Sequence, residues 1–372
     1  MAEPLKAFFS PALVRRLAAD LERVEPSFPA RAFVRRASTG LHALELLDRG
    51  KHIARALVEH LPAEYPQALD VLLRSLGPEH ASDELVGAGM APFYYLPHTL
   101  FVAERGLEHL ELSLHAQYEL TKRFSAESSI RAFIARYPEQ TMERLMLWTR
   151  DTNPHVRRLA SEGTRLRLPW APRVAWLDAN PGRVLSLLER LRSDPTTLVR
   201  RSVANNLNDL SRIDAARVVE TCARWLKDGS PHTRALVNHA LRSLVKKGDR
   251  DALTVLGTGE TPRVEVTAVR LSAKRVRIGA ELRFSFRLQS SAPREQNLTV
   301  DYVVHFVKAD GKTRPKVFKL RRLALAARQS AEFAARLSLA PMTTRRHYAG
   351  THRIEVVVNG VTFGLGTFEV FS

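Results

Sequence analysis

Apolar residues recur every three or four positions from residue 10 to about residue 257, and at every second position from Val264 onward. A period near 3.6 marks helices with one buried face, and a period of two marks half-buried strands. The chain therefore reads as an α-helical region followed by an all-β region. Ser10-Pro11 supplies an N-cap and a first-turn proline, and Leu13, Leu17, Leu21 and Val24 continue as one apolar face. Further helices are predicted at 30–37, 41–48, 50–60, 64–76, 96–122, 125–137, 140–150, 156–167, 181–192, 197–210, 214–227 and 232–246. Pro26, Pro29, Pro62, Pro78, Pro92, Pro138 and Pro169 punctuate them.

The later helices repeat. Aligning Asp151, Asp194 and Asp228 gives DTNPHVRR, DPTTLVRR and DGSPHTRA, 43 and then 34 residues apart. Spacings of that size with two helices per unit suit a HEAT-like solenoid, in which stacked hairpins share the core that none can build alone. The eleventh residue after each Asp is Glu162, Asn205 and His239; the fourteenth is Arg165, Asn208 and Arg242. The register predicts a polar groove along the second helices. In the first unit Val156, Leu159, Ala160, Gly163 and Leu166 form an apolar stripe, and Arg158, Glu162 and Arg165 fall on the opposite face, expected to meet solvent.

Beyond a linker marked by Gly257, Gly259 and Pro262, about seven strands follow: VEVTAV, RFSFRL, TVDYVVHFV, KVFKLRRL, SAEFAARL, RIEVVV and TFGLGTFEV. Asp310-Gly311 and Asn359-Gly360 predict tight hairpin turns. The expected architecture is multidomain: a HEAT-like helical domain over 1–257 and an immunoglobulin-like β-sandwich over 263–372.

Charge narrows the class of partner. The 372 residues carry a formal net charge of +18, and residues 261–372 hold 20 Lys and Arg against 8 Asp and Glu. Such an excess suits a polyanion, nucleic acid before an anionic membrane surface. Cys222 is alone, so no intramolecular disulfide and no thiolate metal cluster is possible. MAEPLKAFFSPALVRRL contains no apolar run of signal-peptide length, and no segment approaches 18 consecutive apolar residues. A soluble, cytoplasmic, monomeric protein is expected, without metal or cofactor.

No phosphate-cradling glycine loop, CxxC pair, HExxH or GxSxG occurs. His239 reads as a groove-lining or core histidine rather than a base. In QYELTKRFSAESSIRAFIARY, Ser125 is expected to cap a helix with a core stripe of Ile130, Phe133, Ile134 and Tyr137. Glu127 lies in its first turn, where a surface carboxylate that satisfies the helix dipole is the plainer reading. The residues alone leave two classes open: an enzyme with two glutamates among arginines, or a scaffold whose groove binds nucleic acid or an acidic protein. A sugar hydrolase of another kind is disfavoured, because the chain lacks aromatic sugar platforms.

ELTKRFSAE, IRAFI, HVRRLASEGTRLRLPWA and VRRSVANNLNDLSR together resemble the AlkC family of bacterial DNA alkylation-repair glycosylases. The match covers most of residues 90–245, with Ser128, Ala132 and Leu166 where members often carry phenylalanine, proline and proline. The resemblance implies base excision repair of cationic N3-alkylated bases, 3-methyladenine and 3-methylcytosine, in double-stranded DNA and without base flipping. It implies catalytic roles for Glu127 and Glu162, and for Trp170 a place against the deoxyribose. Arg158 and Arg165 would orient Glu162 and clamp phosphates; Arg201, Asn205 and Asn208 would continue the phosphate track, with Trp148 as a further DNA contact.

Overall fold

The computed structural model describes residues 4–80, 89–227, 229–342 and 346–372. Helices fill it up to Val255 and strands from Val264 onward. Two compact units emerge: 1–214 with 225–240, and 215–224 with 241–372. The helix Ala215–Lys227 is divided between them. Among the described residues no helix is long and apolar enough to cross a membrane.

In the first unit Ser10 accepts a hydrogen bond from the Leu13 amide at 3.3 Å, and Leu13, Val14, Leu17 and Leu21 of Pro11–Val24 are buried, as the apolar face predicts. The predicted helix 96–122 is instead two, Leu96–Arg105 and Leu110–Thr121, parted at Gly106. A side chain at Gly106 would collide with Ser113 Oγ and Tyr65 Oη, so the close approach needs a glycine. The predicted helix 125–137 begins only at Ile130, because the Ser125 hydroxyl donates to Glu127 Oε2 at 2.7 Å instead of capping.

The second helices of the repeat, Pro154–Glu162, Thr197–Leu210 and Pro231–Ala240, pack in succession. Asn153 caps the first through the His155 amide at 2.9 Å. The repeat register is realised as contacts: Ser202 donates to Glu162 at 2.6 Å, and His239 Nε2 meets Asn205 Oδ1 at 2.9 Å. Asp228, the third anchor of the alignment, lies outside the described residues.

The second unit carries a sandwich of two sheets, β1-β3-β6 and β2-β8-β7-β4-β5. The strands are β1 (Val264–Leu271), β2 (Arg275–Arg277), β3 (Glu281–Ser290), β4 (Gln296–Val307), β5 (Thr313–Leu325), β6 (Ser330–Ser338), β7 (Gly350–Val358) and β8 (Val361–Phe371). The short β2, parallel to β8, has too few residues to show a period. Gly311 joins β4 to β5 at φ 72°, and Asn359-Gly360 join β7 to β8 at φ 46° and 80°. Leu282, Phe284, Phe286 and Leu288 of β3 alternate inward, and Phe286 stacks on Phe333 of β6 with centroids 5.0 Å apart. β5 is an edge strand whose Arg314, Lys316, Lys319, Arg321 and Arg322 are exposed, a charge pattern that also deters edge-to-edge pairing.

Because Phe286 is buried and stacked, Phe286→Ala should destabilise the sandwich by about 3–5 kcal/mol. Denaturant unfolding followed by circular dichroism measures it; a loss below about 1 kcal/mol would show that the inter-strand stack contributes little.

Candidate active site

Two acidic residues, Glu127 in the turn before Ile130 and Glu162 at the end of Pro154–Glu162, meet on one arginine. Arg158, on the second turn of Pro154–Glu162, approaches Glu127 at 2.7 Å and Glu162 at 3.9 Å, and also donates to Ser125 Oγ at 3.1 Å. Glu162 accepts from Arg165 at 2.6 Å, and Arg165 reaches Asp209 of Thr197–Leu210 at 2.9 Å. The result is a row of alternating charges, Glu127, Arg158, Glu162, Arg165 and Asp209, with three carboxylates to two guanidiniums. Within the row itself the carboxylates outnumber the guanidiniums by one, in a chain whose net charge is +18.

The expected solvent face of Pro154–Glu162 is not one. Glu162 is only 6% exposed, because Thr197–Leu210 packs over it with Ser202 and Asp209. A buried carboxylate persists only when its oxygens are satisfied. Glu162 meets that condition with Arg165 on Oε1 and Ser202 on Oε2. Burial raises its pKa, but Arg158, Arg165 and the Ser202 hydroxyl outweigh it and hold the carboxyl below its usual range. Burial likewise opposes the charge of Arg158, and Glu127 and Glu162 override it, so this guanidinium is firmly protonated.

The helix predicted to run to residue 167 stops at Glu162, and a loop carries Trp170 outward. Arg131 explains the stop. Its buried guanidinium donates to the carbonyls of Gly163 at 2.9 Å, Arg165 at 2.7 Å and Pro172 at 2.9 Å, and so withdraws them from helical bonding. Burial draws the Arg131 pKa down to about 10, which leaves it charged at neutral pH. Gly163 is required for this packing, since a Cβ there would lie 2.7 Å from Ile130 Cγ2. Trp170 is 68% exposed with φ 61°, a left-handed conformation that costs a bulky residue on the order of 1–3 kcal/mol. Trp170 is thus a large aromatic left outside the core in a costly backbone conformation, beside buried charges.

Glu127, Arg158 and Trp170 line a common cavity of about 400 Å³. The other expected residues divide. Arg201 is exposed, and Asn205 is half-buried in its hydrogen bond to exposed His239. Asn208 is buried, 3% exposed, because the helix turns it toward neighbouring protein; it is no phosphate contact. Trp148 is buried against Tyr118, with ring centroids 5.9 Å apart, and is a core residue rather than a DNA contact. No local signal marks Arg131, Ser202 or Asp209 as site residues, and Ser125 reads in the sequence only as a helix cap; SVANNLND holds Ser202 and Asp209, but nothing in it says where they point. Among the described residues no group of three or more His, Cys, Asp or Glu converges on a metal position.

The family described as "Uncharacterised protein YhaZ, C-terminal Ig-like domain" matches residues 265–372. Over 317 residues, 85% of each protein, the chain is 35% identical to the uncharacterized protein YhaZ of Bacillus subtilis (strain 168). Over its whole length it is similar to all of the Pseudomonas fluorescens alkylpurine DNA glycosylase AlkC, solved bound to DNA containing an abasic site analog, with 34% identity and a TM-score of 0.91.

Two outcomes follow from the geometry. A carboxyl depressed in the folded state stabilises above its unfolded value of 4.5, and that contribution is lost as the pH falls through the lower folded value. Wild type should therefore lose stability on acidification below about pH 4.5 more steeply than Glu162→Gln. Unfolding free energies across pH 3–7 test this, and parallel curves would refute the ionised buried carboxylate. Trp170→Gly should raise the melting free energy by about 1 kcal/mol, because glycine takes φ 61° freely. A lower melting temperature would show that the tryptophan packs rather than strains.

Proposed function

The chain belongs to the AlkC family, and we propose that it is a DNA glycosylase that hydrolyses the N-glycosidic bond of cationic N3-alkylated bases, 3-methyladenine and 3-methylcytosine, in double-stranded DNA. The observation that carries the reading is Arg158 held between Glu127 and Glu162, 2.7 and 3.9 Å away, beside the exposed, strained Trp170.

An alkylated base already bears positive charge and leaves without strong protonation. The enzyme's task is to stabilise the cationic, oxocarbenium-like sugar and to place a water against it. Glu127 lines the cavity and is the carboxylate we assign to face the sugar and accept the proton of the water. Glu162, buried behind it, contributes its charge and fixes Arg158, so that the guanidinium orients Glu127 without leaving a net positive charge next to a cationic transition state. Trp170 offers the indole face, with its negative quadrupole, to the deoxyribose. Arg201 and Asn205 form the phosphate track that remains after Asn208 and Trp148 are removed from it. The bond is cleaved with the base still stacked. Residues 1–257 carry the reaction, and the basic residues of 263–372 add phosphate contacts. The protein acts as a monomer without metal or cofactor, in the cytoplasm.

The test is incubation with methylated duplex and measurement of released 3-methyladenine and abasic sites. Wild type should excise, while Glu127→Gln and Glu162→Gln should each lose roughly 10²–10³-fold in single-turnover rate, with duplex affinity kept or tightened. A wild-type protein that binds duplex yet releases no base would support the scaffold reading instead.

A further inference from the structure

The cavity beside Glu127 is larger than a sugar contact requires, and much of its lining comes from the N-terminal helices. Leu47 of Leu46–His60, Leu96 and Leu100 of Leu96–Arg105, and Phe93 and Phe124 supply its apolar surface. Leu96 is buried while Trp170 is exposed, so the apolar part lies inward and the tryptophan at the open side. The Phe93 and Phe124 rings meet edge to face with centroids 5.2 Å apart. Three charges enter the lining, and each has a partner: Glu127 and Arg158 pair with each other at 2.7 Å, and Lys51 pairs with Asp48 at 3.2 Å. A volume of about 400 Å³ with apolar aromatic walls and few polar groups suits a small flat heterocycle.

We propose that this cavity receives the purine base once the glycosidic bond has broken and holds it as the free product. The inference rests on the glycosylase reading and adds a product site to it. The chemistry selects the occupant. Heterolysis sends the C1′–N electron pair into the base, which cancels the positive charge of the alkylated ring. Water adds to C1′ and its proton passes to Glu127. The base that leaves is therefore neutral, planar and largely apolar on its faces, and it matches a cavity with no unpaired charge to offer. The helices Leu46–His60 and Leu96–Arg105 thereby gain a role that their sequence does not announce.

Calorimetric titration of the DNA-free full-length protein with 3-methyladenine should show saturable binding, and the free base should inhibit multiple-turnover excision. Leu100→Trp and Leu47→Trp, which fill the cavity from two helices, should weaken binding and inhibition about tenfold or more. Single-turnover excision by both should stay within about twofold of wild type. No saturable binding to wild type, or binding that both variants leave unchanged, overturns the product site. Excision without base binding removes this inference alone. Base binding by a protein that excises nothing leaves the purine site standing and removes the glycosylase reading instead.

Discussion

The row of alternating charges from Glu127 to Asp209 is the interaction on which the remainder of the site depends. Each buried member is tolerable only because its neighbours are present: Glu162 needs Arg165 and Ser202, and Arg165 needs Asp209. The row crosses from one repeat to the next, so the stacking of Thr197–Leu210 on Pro154–Glu162 and the electrostatics of the site are one construction. The charge pairs add to the register that close packing already imposes, since a shift by one residue would bury a carboxylate without a partner.

This arrangement also accounts for the chemistry available. Opposite charges alternate along the row, and a surplus negative charge remains among the carboxylates. Only Glu127 of the three lines the cavity. Glu162 and Asp209 are buried, and their charges act at a distance through fixed guanidiniums. Charges fixed in this way by their neighbours would stabilise the cation of the proposed reaction without a cost of reorganisation.

Much of this was legible in the sequence, for reasons that differ by element. Period-two strands and the Asn359-Gly360 turn are local signals, and they appear where expected. The register that aligned Glu162, Asn205 and His239 reports a real adjacency, since each residue contacts the neighbouring repeat. The pairing of Glu127 with Glu162 came from resemblance, not from spacing. What stayed hidden depends on distant partners. Glu162, Asn208 and Trp148 are polar or amphipathic positions that face protein, and only the packed neighbour decides that. The early end of Pro154–Glu162 was equally invisible, because its cause, Arg131, sits 31 positions before Glu162 in a separate helix.

Arg131 grips the loop after Glu162 by three main-chain carbonyls and by none of its side chains. This grip constrains no side chain of the loop, so while Glu162 and Asp209 fix Arg165 and the core fixes Leu166 and Leu168, the aromatic it presents can vary so long as the count of residues between Gly163 and Pro172 is preserved. An insertion or deletion of one residue there would slide the carbonyls out of the guanidinium's reach. Relatives of this chain are accordingly expected to differ here in the residue presented at position 170, not in length.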